Sequence, residues 1–322
     1  MRLIKRKRRG GEASFLPVSR PSLPDNIPAV VLFFFMVCLS LTGCHSKTAN
    51  PQKKASALPT PAVMIPQADG TKTITTSTLT VDLSNTSKGY IMASYHGEAD
   101  KVNIQLTGPD GVTYLYFIKE SDSYTAMPLS SGSGSYLLDI YEHVEGNTYG
   151  TLMSDFIEVN LENEFTPFLY SNQFVYFTED TRAIQKGAEL AKGCESDLEI
   201  TSNIYNYVIK NTVYDYDKAA TVTAPYYPDI DETLATGKGI CFDYSALMCA
   251  MLRTQGIPCK LNIGYAGKVY HAWISVYLSS TGWVDDMIQF DGSDWSMMDP
   301  TLSSADRSFD PSQENYTVMF QR

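Results

Sequence analysis

Apolar and polar residues alternate in several short segments between residues 73 and 165, as in β-strands with one buried face. The clearest segments are residues 79–83, 102–106, 112–118, 136–140 and 156–161. Turn sequences separate them, notably Gly-Pro-Asp-Gly at 108–111 and the Ser/Gly run at 131–135. Short strands at this spacing predict an all-β domain over 73–165, a sandwich of the immunoglobulin-like type.

The pattern changes to a helical period after residue 166. Helices are predicted from a cap at 178–180 to Gly193, over 198–210, and from Cys241 to Gly256. Residues 211–239 between them show little periodicity, which predicts a functional or partly structured loop. Strands are predicted over 260–265, 270–278 and 283–288. The sequence therefore predicts an α+β domain over 166–322, with a helix packed on an antiparallel sheet.

The first 43 residues have the layout of an export signal. A basic block precedes an apolar run at 27–40, which is short for a membrane-spanning helix. The run ends in Leu41-Thr42-Gly43-Cys44, which resembles the bacterial lipobox, in which the cysteine is lipidated and the preceding signal is removed. We therefore expect an extracytoplasmic lipoprotein, anchored to the bacterial membrane through Cys44. The alternative is an uncleaved anchor, which gives the same location.

Composition and charge limit the classes of partner. Residues 44–72 are rich in Pro, Ala, Lys and Thr, which predicts a mobile tether. Residues 1–43 hold seven basic and two acidic residues, so the remaining chain carries a net charge of −16. That charge argues against nucleic acid as a partner and against a basic face on anionic lipid.

The cysteines after residue 44 form no regular framework of disulfides. They are Cys194, Cys241, Cys249 and Cys259. Cys249 and Cys259 could pair, but two small buried thiols are the favoured interpretation. The chain has no CxxC motif and four histidines, so we expect no zinc site and no cofactor.

Three residues carry the candidate chemistry. Cys241 stands at a predicted helix N-terminus, where backbone N–H groups and the helix dipole stabilise a thiolate. His271 lies on a predicted strand and can act as base toward Cys241, then as acid toward the leaving amine. Asp299 precedes a proline and could orient the imidazole. Each residue alone has an ordinary structural explanation, and the combination is what favours a thiol acyl-transfer site.

Taken together, these segments resemble the transglutaminase-like superfamily, a papain-related group of thiol enzymes. The matching segments are 239–245, 250–258, 264–265, 271–273, 282–283 and 298–301. The resemblance covers about residues 170–305 and implies Cys241 as nucleophile, His271 as base and Asp299 as orienting carboxylate. The β-domain in front is similar to that of transglutaminase-like lipoproteins of Gram-positive bacteria.

The resemblance also implies a substrate cleft beside the thiol. We predict that Tyr226, Tyr227, Trp273 and Trp295 line it. The sequence does not identify the second oxyanion donor, for which Tyr226 and Tyr227 are candidates. Residues 285–295 depart from the simplest family pattern. Their aspartates lack the spacing of a calcium loop, which favours a solvated hairpin.

Two functions stay open from the sequence. The first is a surface-anchored enzyme that acts on amide bonds of peptides or proteins, as transglutaminase, deamidase or cysteine peptidase. Its substrates could be associated with the cell wall. The second is a non-catalytic surface binding or scaffold protein that retains the fold. Reactivity of Cys241 that depends on His271 distinguishes them.

Overall fold

Two four-stranded antiparallel sheets build the first half of the chain. The computed structural model describes residues 58–118, 122–266, 268–285, 288–290, 295–297 and 316–322, all within one compact unit. The first sheet has the order β1-β2-β3-β6, with β1 Thr73–Thr75, β2 Leu79–Asp82, β3 Tyr90–Tyr95 and β6 Thr125–Pro128. The second has the order β5-β4-β7-β8, with β4 Val102–Thr107, β5 Thr113–Ile118, β7 Gly134–Glu145 and β8 Thr148–Val159. We call residues 73–159 the double sheet.

One apolar core lies between the two sheets, to which both contribute. In β4 the predicted alternation is confirmed, since Val102, Ile104 and Leu106 are buried and the residues between them are half-buried. At the start of β7 the Tyr136 hydroxyl donates to the carbonyl oxygen of Gly132 at 2.9 Å. This hydrogen bond folds the chain tightly where it enters the strand.

Three strands of the double sheet lie outside the predicted segments. Strand β3 is buried at all six positions, so it has no polar face to give a period of two. Strands β1 and β6 are only three and four residues long. The hairpin of β7 and β8 has arms of 12 residues each, longer than the two predicted segments.

Helices packed on a second antiparallel sheet follow. The helices are α1 Arg182–Ala191, α2 Asp197–Asn211, α3 Tyr216–Thr221, α4 Ile230–Thr236 and α5 Cys241–Arg253. The sheet has the order β13-β12-β11-β16, with β11 Cys259–Ala266, β12 Val269–Leu278, β13 Gly282–Val284 and β16 Tyr316–Gln321. Two short parallel strands, β9 Val213–Tyr214 and β10 Lys238–Gly239, pair beside the start of α5. A hairpin of β14 Ile288–Phe290 and β15 Trp295–Met297 follows β13.

The predicted packing of a helix on an antiparallel sheet is confirmed. Apolar residues of α5 share one core with Leu261 of β11 and Ile274 and Val276 of β12. The predicted loop at 211–239 contains α3, α4, β9 and β10. The predicted strand at 283–288 is wrong in its bounds, since β13 ends at Val284 and β14 begins at Ile288. The predicted hairpin over 285–295 is confirmed in position by β14 and β15.

The two halves are joined by specific contacts. The Gln173 side chain accepts from the backbone N–H of Phe117 at 3.1 Å and donates to its carbonyl oxygen. Arg322, 4% exposed, donates to the Leu115 carbonyl oxygen at 3.1 Å, and its guanidinium lies 4.0 Å from the Phe174 ring centroid. These contacts fix β5 against the second half.

The end of the predicted tether contacts the folded chain. The backbone N–H of Ala62 donates to Thr254 at the end of α5, and that of Ser171 donates to Met64. Residues 62–64 are therefore bound to the second half, whereas the sequence predicts a mobile segment up to residue 72. Within the described ranges no helix is long and apolar enough to cross a membrane.

Candidate active site

Cys241 is the first residue of α5 and is half-buried. The first intrahelical bond runs from the N–H of Tyr244 to the Ile240 carbonyl, so the N–H groups of residues 241–243 point out of the helix end. This end of a helix carries a partial positive charge, which stabilises a thiolate or an oxyanion beside Cys241. The structure thus places the thiol in the predicted setting.

A buried carboxylate fixes the start of α5. Asp243 is 0% exposed, and its Oδ2 accepts from the backbone N–H of Ile240 at 2.8 Å. This is half of a capping box, because isoleucine has no side-chain acceptor to complete it. The same oxygen lies 2.9 Å from the Lys218 ammonium, and Oδ1 accepts from the Tyr226 hydroxyl. One carboxylate therefore ties α3, residue 226 and the helix start together.

Tyr226 is committed to this network. Burial and then the hydrogen bond to Asp243 raise the pKa of the Tyr226 hydroxyl. The Lys218 ammonium also lies 5.0 Å from the centre of its ring. Because a phenol has one proton to donate, Tyr226 in this arrangement holds Asp243 and has none left for an oxyanion.

Tyr227 packs into an aromatic cluster. Its ring lies 5.6 Å from that of Phe174, and burial raises the pKa of Tyr227 to about 12. The structure thus places both tyrosines near α5, one in the polar network and the other against apolar rings.

Two tyrosines lie close to the thiol. Pairing of β9 with β10 sets Tyr214 opposite Gly239, two residues before Cys241. Burial raises the pKa of Tyr214, and negative charge on Cys241 raises it further. Burial also raises the pKa of Tyr270. The positive charge of Arg322 lowers that pKa, and negative charge on Tyr265 and Cys241 raises it. Tyr270 is the residue before His271 on β12, against which α5 packs.

His271 is buried on β12, 6% exposed, opposite Gly264 of β11. Its ring is nearly parallel to that of Trp273, at 16° with centroids 6.2 Å apart. Trp273 is 1% exposed and contacts Tyr316 on its edge, at 5.0 Å between centroids. Trp273 is therefore a buried support of the imidazole in this structure, whereas the sequence predicts it at the cleft surface. Gly264 itself allows the close approach of β16, since a Cβ at this position would lie 2.0 Å from the Thr317 carbonyl oxygen.

Three predicted residues cannot be placed. Asp299 and Cys44 lie outside the described residues, and Trp295 is described only as part of β15. Their assignments stay predictions. Among the residues that the structure describes, no group of three His, Cys, Asp or Glu side chains is arranged to hold a metal ion.

Sequence reasoning missed the partners of Asp243. Asp243 follows Cys241 by two residues, and a carboxylate in the first turn of a helix is a recognisable capping signal. Lys218 gives no such signal, because 25 positions of weakly periodic sequence separate it from Asp243.

The comparisons with known proteins concern part of this half of the chain. Residues 184–286 match the core domain of a family described as the transglutaminase-like superfamily. This stretch is a transglutaminase-like domain. It contains Cys241 and His271, and residue 299 lies beyond the matched range.

Other similarities are more distant. The protein UPF0252 protein MJ1282 of Methanocaldococcus jannaschii is 29% identical over 145 residues, 39% of this chain and 41% of that protein. The chain thus spans about two fifths of the length of this curated relative.

Among solved structures, a proposed cysteine protease of Cytophaga hutchinsonii is 15% identical, with a TM-score of 0.34 over 71% of this chain and 68% of that one. Red sea bream transglutaminase is 13% identical, with a TM-score of 0.28 over 66% of this chain and 48% of that one. These scores lie below 0.5, so the family assignment rests on the match to the core domain.

Proposed function

We propose that the protein is a thiol acyl-transfer enzyme that acts on amide bonds of peptides or proteins. The observation that carries the proposal is the position of Cys241, half-buried as the first residue of α5 in the transglutaminase-like domain. A buried histidine, His271, lies on β12, against which α5 packs. In this proposal Cys241 is the nucleophile, His271 the base and Asp299 the residue that orients the imidazole.

The chemistry follows from these roles. His271 takes the thiol proton as Cys241 forms a bond to the amide carbonyl carbon, and the oxyanion meets the N–H groups at the start of α5. The carbon–nitrogen bond then breaks, and the imidazolium gives its proton to the leaving ammonia or amine. Water or an amine attacks the thioester, the carbon–sulfur bond breaks, and the thiol is restored. Water gives hydrolysis or deamidation, and a lysine amine gives a cross-link.

The experiment offers glutamine-containing peptides and cell-wall peptides, with and without a labelled primary amine, and reads the products by mass spectrometry. We expect Cys241→Ala and His271→Ala to lower turnover at least about a thousandfold. Cys194→Ala is the matched control, because that cysteine follows α1 and contacts Leu190 and Asn203.

Labelling with iodoacetamide at pH 7 adds a test that needs no substrate. We expect rapid alkylation of Cys241 that is lost in His271→Ala. Slow alkylation that is equal in both proteins would contradict the proposal and favour the non-catalytic scaffold.

The location is part of the proposal. Lipidation of Cys44 would hold the enzyme at the outer face of the bacterial membrane, where peptides and proteins of the cell wall are its substrates. The support is the sequence at 41–44 behind its basic and apolar segments. Partition of the protein into detergent that is unchanged in Cys44→Ser would count against it.

We also propose that the double sheet is immunoglobulin-like. Strands β2, β3 and β6 lie in one sheet and β5, β4, β7 and β8 in the other, which is the arrangement of a Greek-key sandwich. The hydrogen bond from Tyr136 to Gly132 has the geometry of the tyrosine corner of such domains. An experimental structure with another strand order would overturn this assignment.

A further inference from the structure

We propose that Cys249 and Cys259 form a disulfide that links α5 to β11. Their Sγ atoms are 2.9 Å apart, and both residues are 0% exposed. Unbonded carbon atoms rest at roughly 3.5–4.0 Å and sulfur is larger than carbon, so the two sulfur atoms are closer than two separate thiols prefer. Both cysteines are free, buried thiols in the structure, as the sequence favours, and the short contact between them is what supports the bond that we propose.

The backbone holds the two cysteines together independently of their sulfur atoms. Helix α5 ends in a tight turn in which Gly256 has a φ of +76° and the N–H of Ile257 donates to the Leu252 carbonyl. The Arg253 guanidinium donates twice to the Cys259 carbonyl oxygen, from Nε at 3.0 Å and from Nη2 at 2.8 Å. The cysteines therefore meet because the turn and Arg253 bring them together.

The core around the pair determines when the bond can form. Burial raises the pKa of the Cys259 thiol, and the contact with Cys249 raises it further. Thiolate is the reactive form in disulfide exchange, so the pair is inert once the core has closed. We infer that the bond forms during folding, while the turn is made and the sulfur atoms are still accessible.

The oxidant is a small-molecule disulfide or a dithiol–disulfide oxidoreductase. The thiolate of one cysteine attacks the reagent's sulfur–sulfur bond and forms a mixed disulfide, which releases one reagent thiol. The second cysteine loses its proton and attacks the mixed disulfide, which releases the second reagent thiol. The two protein thiols are oxidised, and the reagent disulfide is reduced to two thiols.

The link has a consequence for the thiol at the other end of α5. It joins the helix that begins at Cys241 to β11, which pairs with β12 along its whole length. During folding, before α5 has formed, it also removes Cys249 as a competing partner for Cys241. The bond would exist whether or not Cys241 is catalytic, so the two proposals fail separately.

The test maps the bond in the full chain. The protein is refolded with reduced and oxidised glutathione, denatured in excess iodoacetamide without reductant, and digested with trypsin. Cleavage after Lys238, Arg253 and Lys260 separates peptides 239–253 and 254–260. We expect the two peptides to appear as one disulfide-linked species that dithiothreitol separates. A Cys241→Ala background removes the ambiguity of a second cysteine in peptide 239–253.

Two variants complete the assignment. Cys194→Ala is expected to retain the linked species, and Cys259→Ala to lose it. Recovery of both peptides fully alkylated at residues 249 and 259 from refolded protein would overturn the proposal. This mapping needs no variant that must fold, since the decisive sample has both cysteines.

Thermal unfolding gives a second readout. A disulfide that closes a loop of this length is expected to raise Tm by about 5–10 °C in a chain of this size. Protein refolded under reducing conditions should therefore have a Tm lower by that amount than protein refolded with glutathione, and a Cys249→Ala/Cys259→Ala variant should show no such difference. Equal Tm values of the parent protein refolded in these two ways would also contradict the bond.

Discussion

The double sheet and the transglutaminase-like domain differ in where they place charge. In the described part of the double sheet, the buried polar side chains are those of Asp82, Asn85 and Ser94. In the described part of the second half the buried set includes five acidic or basic groups, Asp197, Asp243, Arg253, His271 and Arg322. Both halves have an apolar core of similar character, so the difference lies in the charged groups set within it.

Burying a charge costs free energy unless hydrogen bonds and a counter-charge replace its water. The double sheet avoids this cost with strands that keep most charged residues on the solvent face. The second half uses buried charges to hold particular backbone atoms, such as the Ile240 N–H at the start of α5 and the Cys259 carbonyl at its far end. Charge burial thus marks the places where the position of a backbone segment is fixed.

The largest effect is expected at Arg253. Its guanidinium donates to the carbonyl oxygens of Tyr170, Cys259 and Arg322, and burial lowers its pKa. Arg253→Met removes the guanidinium donors to Tyr170 and Cys259 and leaves the Arg322 carbonyl with the Leu261 N–H alone, and it should lower the free energy of unfolding by about 3–5 kcal/mol. Urea denaturation measures the change, with the exposed Arg182→Met as control at below about 1 kcal/mol. Equally small losses of unfolding free energy in Arg253→Met and Arg182→Met would contradict the conclusion that the second half depends on its buried charges.

A smaller effect on stability, but one that reaches the thiol, is expected at Asp243. Asp243→Asn leaves the Lys218 ammonium without its counter-charge. It also places an amide N–H₂ group, itself a donor, beside the three donors that point at the carboxylate. We expect a loss of about 2–3 kcal/mol by urea denaturation, and slower alkylation of Cys241 because the helix start is released. Asp217→Asn makes the same charge change at an exposed neighbour and should alter neither quantity. Unchanged alkylation in Asp243→Asn would show that the carboxylate does not position the thiol.

The smallest effect is expected at Asp82, the buried carboxylate of the double sheet. Burial opposes its ionisation, but hydrogen bonds from Ser84 and Gly70 outweigh burial, and the pKa of Asp82 is lowered. Its stabilisation is present above the unfolded pKa, near 4, and is lost as pH falls through the folded value. Asp82→Asn should therefore lower stability by about 1 kcal/mol at pH 7, with the difference closing in acid.

Two measurements accompany the Asp82 prediction. Exposed Asp155→Asn on β8 serves as the control for the charge change. Alkylation of Cys241 should be unaffected in both variants, in contrast with Asp243→Asn. A slower reaction in Asp82→Asn would mean that the double sheet also influences the site.

The elements that the sequence predicted are those with a clear period. Strand β4 alternates along its length, and α5 has its apolar residues at helical spacing up to Gly256, so both were predicted close to their observed bounds. Strand β3 is buried on both faces, so its sequence shows no alternation of apolar and polar residues. The short helices α3 and α4 have too few turns to establish a period.

The candidate site was predictable in part for a related reason. Cys241 and His271 each stand in a distinctive local sequence on a regular element. The network around Asp243 depends on Lys218 and Tyr226, which come from an aperiodic stretch and meet the helix only through tertiary contacts. Burial of Trp273 likewise depends on Tyr316, from a strand far along the chain.

Gly239 and Asp243 have to be treated as one unit in any redesign of this protein. A Cβ on residue 239 would lie 2.7 Å from the Cβ of Asp243, because that side chain folds back over the helix start. A library that varies Gly239 alone would thus sample variants that cannot close the first turn. Because the contact is with the Cβ of residue 243, only glycine at 243 would relieve it, and that change also removes the carboxylate that holds the Ile240 N–H at the entry to α5.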